Sequence, residues 1–151
     1  ISRRQRQMCI RDRHSLLVES IFAKQYPQMD NPSKLFALLH DSAEYVIGDM
    51  ISPLKSHLGN TYEELDEKLT RAICIRFNIP TKKIKIIKRR VKLADKKAAW
   101  LEAIHLAGFS KQEADRIFGK HEEIKGYENS LLPKPPFFVR KKFVNRFNDL
   151  Y

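Results

Sequence analysis

The chain is poor in the residues that mark cross-linked or turn-rich folds. Its 151 residues include only two Cys, five Gly and seven Pro. Two cysteines, Cys9 and Cys74, exclude a disulfide framework and a zinc-ribbon spacing, and they are typical of a reducing cytoplasm, which is the expected location. The low Gly and Pro content argues against a β-sandwich. No apolar run approaches the roughly 18 residues of a membrane span, so we expect no transmembrane helix.

What the chain does have is enough apolar residues for one core and a large excess of basic charge. Hydrophobic residues make up 42% and charged residues 31% of the sequence, which has the length of a single domain. The formal net charge is +11, from 29 basic and 18 acidic residues. Such an excess ordinarily indicates a polyanionic partner, nucleic acid above all.

The first residues account for part of that charge. The run QMCIRDR at positions 7–13 resembles a translated sequencing-library adapter, so we expect residues 1–13 to be a non-native segment. The alternative is a basic N-terminal arm. Without these residues the chain keeps 24 basic and 17 acidic residues. We place one domain at 14–130 and a tail that contains a docking helix at 131–151.

Apolar spacing predicts an all-α bundle of about five to seven helices. The first helix starts near His14 and places four apolar residues on one face, namely Leu17, Val18, Ile21 and Phe22. The second begins at 30–32, where polar capping residues precede Pro32, and runs to Gly48. Because its apolar residues surround most of its circumference, we expect it to be the central helix.

Three further helices and the tail complete the prediction. A capping-box pattern at 61–64 starts a helix that runs to about Phe77, with the inward-facing residues Leu65, Leu69, Ala72 and Ile73. A long helix spans about 81–106, and a second capping box at 110–113 opens a short helix that ends at Gly119. The tail at 131–151 predicts an amphipathic helix that packs on the bundle.

The chemically informative feature is the pair His40–Asp41 within an apolar segment. A buried carboxylate that lacks a partner costs several kcal/mol, so something must neutralise it. Asp95 lies on the core-facing side of the long helix, and His14 lies beside the apolar face of the first. Two imidazoles and two carboxylates that converge form a mixed nitrogen and oxygen site, which suits a divalent metal ion.

These four residues resemble the H…HD…D signature of the HD-domain metal-dependent phosphohydrolases. The segment 38–55 is similar to the bacterial 5′-deoxynucleotidase-like branch of that family, and the segment 92–108 resembles the helix that carries the last ligand in other bacterial members. The resemblance implies an all-α HD-domain bundle that holds one divalent metal ion, Mn²⁺, Co²⁺, Zn²⁺ or Mg²⁺. It implies His14, His40, Asp41 and Asp95 as the ligands.

The resemblance also implies a reaction, the hydrolysis of a phosphate ester on a small nucleotide. The leading expectation is conversion of deoxynucleoside 5′-monophosphates to nucleoside and phosphate; the alternatives are a dNTP triphosphohydrolase and a (p)ppGpp hydrolase. Glu44, four residues after His40 on a shared helix face, and Asp49, in the loop beside the site, are the candidate catalytic residues. Lys55 is expected to bind the substrate phosphate, and Glu102 to support the ligands from behind.

Structural interpretations compete with each of these roles. Glu44 and Lys55 are also consistent with surface charges, and Asp49 with a loop residue after Gly48. The basic run at 82–92 could bind nucleic acid, which gives a second hypothesis: a basic, nucleic-acid-binding helical protein with a structural metal site. Ile84, Ile87 and Val91 mark an apolar face in that run, so we favour a solvated helix face and do not expect nucleic acid as a partner. A homodimer is left open.

Overall fold

The fold is entirely helical. The structure, a computed structural model, describes residues 3–48, 51–122 and 126–151, and these contain nine α-helices, one 3₁₀ turn at Thr81–Lys83 and no β-strand. The helices are α1 (Arg3–Gln25), α2 (Asn31–Leu38), α3 (Glu44–Ile47), α4 (Ser52–Leu58), α5 (Asn60–Arg76), α6 (Ile84–His105), α7 (Lys111–Phe118), α8 (Glu128–Leu131) and α9 (Pro136–Leu150). The predicted all-α class is confirmed. Within the described ranges, no helix is both long and apolar enough to cross a membrane.

Helix α1 is the centre of the bundle, and it packs against α2, α6 and α9. Its predicted apolar face is confirmed, because Leu17, Val18, Ile21 and Phe22 are all fully buried. The predicted start near His14 is wrong. Residues 3–13 contain neither Gly nor Pro, so nothing interrupts the helix, and His14 lies in its middle.

The predicted second helix is two helices separated by a turn. Helix α2 ends at Leu38, and the backbone of residues 39–43 forms successive turns before α3 begins at Glu44. The Nδ1–H of His40 donates to the carbonyl of Ala37 at 2.9 Å, the acceptor that the Asp41 amide would use in a continuous helix. The His-Asp pair therefore lies at a helix end. Helix α2 itself is buried at each of the positions 35–38. The prediction that it is the central helix is wrong, because α1 makes the more extensive contacts with the other helices.

Helix α5 lies at the edge of the bundle, and its sequence-based description needs correction. It begins at Asn60 after Gly59, with no side-chain cap, so the predicted capping box at 61–64 does not form. Leu65 and Ala72 are exposed, and the residue that α5 buries is Cys74. Because α5 packs mainly against the short helix α4, only a small part of its surface is covered by other helices and needs to be apolar.

The C-terminal half follows the prediction more closely. The long helix forms as α6, the capping box at Ser110 and Glu113 is present, and α7 ends at Gly119. The tail forms α9, which packs on α1 and α2 and buries Val139 and Leu150. A two-pronged ion pair between Arg146 of α9 and the buried Glu19 of α1 adds a directional link between these helices.

Candidate metal centre

Three separate segments bring the predicted ligands together. His14 comes from the middle of α1, His40 and Asp41 come from the turn after α2, and Asp95 comes from the middle of α6. One ring nitrogen of His14, one of His40 and one oxygen of Asp41 lie within 4.8 Å of one another. Asp95 adjoins this group, because its Oδ1 lies 2.9 Å from Nε2 of His14 and 4.0 Å from Nε2 of His40.

The ring of His14, on α1, lies between two carboxylates of α6, those of Asp95 and Glu102. Its Nδ1–H donates to Oε2 of Glu102 at 2.8 Å, and its Nε2–H donates to Oδ1 of Asp95 at 2.9 Å. Burial alone would lower the pKa of His14, but the hydrogen bonds with Asp95 and Glu102 outweigh it and raise this pKa to about 10. In this form the ring carries a proton at the position where a metal ion would bind.

His40 is oriented differently, and its outer nitrogen lacks a hydrogen bond. Its Nδ1 is fixed as the protonated nitrogen, because the carbonyl of Ala37 can only accept. Its outer nitrogen, Nε2, lies 3.2 Å from Oδ1 of Asp41 and 4.0 Å from Oδ1 of Asp95. This buried nitrogen has no hydrogen-bond partner among the described residues. Two carboxylate oxygens beside this nitrogen favour positive charge here, which a proton on the ring or a bound metal ion would supply.

Two of the separations suit neighbouring ligands of one ion, although Asp95 lies outside the group of three whose ligand atoms are all within 4.8 Å of one another. Two ligand atoms each about 2.1 Å from a metal, at a right angle to each other, lie about 3.0 Å apart. The pair from His14 and Asp95 is 2.9 Å apart, and the pair from His40 and Asp41 is 3.2 Å apart. Burial would raise the pKa of Asp41, but the adjacent His40 and His14 rings outweigh it and keep this pKa below its usual value. Asp41 is therefore ready to ligate as a carboxylate.

Glu102 takes the supporting position that the sequence suggested. Its Oε2 accepts from the ring nitrogen of His14 that faces away from the other ligands. A carboxylate behind a ligating histidine fixes the orientation of the ring and raises its basicity. Seven residues separate Asp95 from Glu102, so the two side chains share one face of α6 and hold one imidazole between them.

The remaining predicted site residues lie in or beside the same cleft. Glu44 begins α3 and therefore does not share a helix with His40, so the predicted common helix face is wrong. The ammonium of Lys55 lies 3.3 Å from Oε1 of Glu44, and Arg11 lies 3.7 Å from its other oxygen. Lys55 also lies 5.3 Å from the ring of Tyr62. Asp49 is outside the described residues.

An open cleft of about 340 Å³ adjoins the centre. His40, Asp41, Glu44, Lys55 and Asp95 all line it. This volume is near the lower end for small-molecule sites, which run from about 300 to 1,000 Å³. The sequence-based prediction missed two more lining residues, Lys88 and Lys92 of α6, because it treated the whole basic run as one solvated face. The available signal was their spacing, because the two lysines are four residues apart and lie seven and three residues before Asp95.

Comparison with known proteins gives a relative of undescribed function. No model of a known protein family matches the chain. The uncharacterized protein RCAP_rcc00048 of Rhodobacter capsulatus is 47% identical over 137 residues, which cover 91% of this chain and 70% of that protein. Two proteins that share this much identity over most of both chains are homologous and have the same fold. The chain therefore belongs to the same family as this Rhodobacter capsulatus protein.

Proposed function

We propose that this protein is a metal-dependent phosphohydrolase of the HD type, which hydrolyses phosphate esters of small nucleotides. The observation that carries the proposal is the orientation of His40, whose buried Nε2 faces two carboxylate oxygens and makes no hydrogen bond to a described residue. A structural imidazole in a core would spend both nitrogens on hydrogen bonds. Here one nitrogen is kept for a cation, and the neighbouring groups are those that divalent metals prefer.

Each residue of the centre then has a defined task. His14, His40, Asp41 and Asp95 would hold the ion, with Glu102 fixing the ring of His14. A divalent ion in this position polarises a phosphoryl oxygen and lowers the pKa of a water molecule. Glu44, at the side of the cleft, would orient that water or accept its proton. Lys55 would contact the phosphate, and its ion pair with Glu44 would weaken as it does so.

The size of the cleft and the lysines in its wall favour a small phosphorylated substrate. A volume of about 340 Å³ is enough for one nucleotide and too small for a duplex. Deoxynucleoside 5′-monophosphates are the first candidates, as the resemblance implied. Nucleotides with several phosphates are the second, and the specific observation in their favour is the position of Lys88 and Lys92 on the wall of the cleft.

A phosphate-release screen tests the proposal. Purified protein would be incubated with deoxynucleoside mono- and triphosphates and with Mn²⁺, Co²⁺, Zn²⁺ or Mg²⁺, alongside His40→Gln and a matched control, His105→Gln. His105 lies at the exposed end of α6, away from the cleft. We expect release with at least one metal, near-complete loss in His40→Gln and no loss in His105→Gln. Equal activity in the two variants would contradict the site.

A further inference from the structure

The wall of the cleft carries a pair of lysines that the metal centre does not use. Lys88 and Lys92 are one turn apart on α6, and Asp95 follows three residues after Lys92. These positions share one face of the helix, and all three line the same cleft. No ion pair joins either lysine to a carboxylate within the described part of the chain, although Asp66 lines the opposite wall. Two ammonium groups are therefore available to an anion in the cleft.

The geometry separates these lysines from the ion-binding position. An α-helix rises about 1.5 Å per residue, so the Cα of Lys92 is about 4.5 Å and that of Lys88 about 10.5 Å along the axis from Asp95. Side chains on a helix lean towards its N-terminus, and because a lysine side chain is longer than that of Asp95, its ammonium group can extend further in that direction than the Asp95 carboxylate. Lys88 also lines a second groove, between α5 and α6, which agrees with this direction. A phosphate bound at the metal centre would be within reach of Lys55 but not of Lys88.

We propose that Lys88 and Lys92 form a second anion subsite, so that the preferred substrate carries another phosphate group beyond the one that is attacked. This inference rests on the proposed function and narrows its substrate class to nucleotides with more than one phosphate group. The second phosphate could belong to a 5′-polyphosphate chain or to the other side of the sugar, and the chemistry of recognition is the same for both. Either source makes a nucleotide with several phosphates a better ligand than a monophosphate.

Binding, rather than turnover, tests the subsite. Isothermal titration calorimetry in the presence of Mn²⁺ would compare dGMP with dGTP and with deoxyguanosine 3′,5′-bisphosphate. The proteins are the unmodified chain, the double variant Lys88→Gln/Lys92→Gln and the control Arg89→Gln/Lys96→Gln. The control removes the same charge from the same helix at exposed positions that do not line the cleft. Complexes of Mn²⁺ with nucleotide in solution differ between the ligands but are the same for all three proteins, so the preference of each variant is read relative to that of the unmodified chain.

We expect one or both of the multiply phosphorylated ligands to bind the unmodified chain about tenfold or more tightly than dGMP, since two cations act on the added charge. Lys88→Gln/Lys92→Gln should abolish this preference, and the control should keep it. The ligand that shows the preference identifies the source of the second phosphate. Equal binding of all three ligands, or a preference that survives in Lys88→Gln/Lys92→Gln, would overturn the subsite.

The same proteins distinguish this inference from the proposed function. If the lysine-dependent preference is found but no nucleotide is hydrolysed with any metal, the subsite stands and the hydrolase proposal fails. If nucleotides are hydrolysed but the lysine variant binds and turns over every ligand as the unmodified chain does, the hydrolase proposal stands and the subsite fails.

Discussion

Oε2 of Glu102 lies 2.8 Å from Nδ1 of His14, while Asp95, two turns earlier on the same helix, contacts the other nitrogen of that ring. One helix therefore provides both a proposed ligand and the group that orients a second ligand on another helix. Such an arrangement makes the position of His14 dependent on the packing of α1 against α6, which is the most extensive helix contact in the bundle.

Neutralising Glu102 should weaken metal binding while leaving the ligands in place. Glu102→Gln keeps the shape of the side chain but removes the negative charge that makes His14 a better donor, so we expect about a 10–100-fold loss of metal affinity. Mn²⁺ titration followed by electron paramagnetic resonance would measure it. Glu67→Gln, on the exposed face of α5, is the matched control. Unchanged affinity in Glu102→Gln would remove Glu102 from the centre.

Variants of Asp41 and Glu44 should separate metal binding from catalysis. Asp41→Ala removes a proposed ligand, so both metal content and phosphate release should fall. Glu44→Gln retains the shape of the side chain and loses its basicity, so it should keep the metal and lose about 10²–10⁴ in kcat. Metal content by mass spectrometry and turnover at saturating nucleotide supply the data. Full activity in Glu44→Gln would leave Asp49 as the next candidate, whereas metal loss would make Glu44 part of the ion-binding shell.

The ion pair between Glu19 of α1 and Arg146 of α9 should make removal of one partner more destabilising than removal of both. Arg146→Met would leave the carboxylate of Glu19, whose side chain is 4% exposed, without its partner. We expect a loss of about 2–4 kcal/mol in the free energy of unfolding, somewhat below the usual cost because Arg146 is partly exposed. The double variant Glu19→Met/Arg146→Met should recover most of it. Urea unfolding would give the free energy of unfolding of the unmodified chain, Arg146→Met and the double variant. A double variant no more stable than Arg146→Met would show that the unpaired charge of Glu19 does not cause the loss of stability.

The cap of α2 should make a small, pH-dependent contribution to stability. The side chain of Asp30 accepts from the backbone N–H of Ser33, and hydrogen bonds with Ser33, aided by Lys83, lower the pKa of Asp30. A lowered pKa in the folded state stabilises the fold above the unfolded value, near 3.8, and this contribution is lost as pH falls through the folded value. Asp30→Asn keeps a capping oxygen but cannot titrate.

We therefore expect the stability of Asp30→Asn, relative to the unmodified chain, to be constant at pH values well above 3.8 and to improve only as pH falls below 3.8 through the folded pKa of Asp30. The effect should be below about 1 kcal/mol, since this carboxylate is largely in solvent. Urea midpoints across this pH range provide the measurement. A difference that is independent of pH would show that the charge on Asp30 does not contribute.

The sequence was sufficient to predict the helices and the convergence of the site, but not the local backbone at its centre. The apolar face of α1 and the cap of α7 follow from spacing along helices. The contact of His14 with Asp95, on two different helices, was expected from the resemblance. The break after Leu38 does not follow from spacing, because it depends on a side-chain hydrogen bond from His40 to Ala37 that competes with the helix. The apolar face of the basic run is buried as predicted at Ile87 and Val91. Which of its lysines line the cleft could not be predicted, since this depends on how α6 is rotated against α1.

The most direct test of the proposed function is the dependence of phosphate release on metal occupancy. The protein would be stripped with a chelator, and Mn²⁺ would then be restored in fractions of one equivalent per chain while nucleotide hydrolysis is followed. We predict no release from the metal-free protein, a linear rise as the ion is restored, and a plateau at one ion per chain. Hydrolysis that persists without metal, or that stays absent at full occupancy with every nucleotide tested, would contradict the proposed metal-dependent phosphohydrolase.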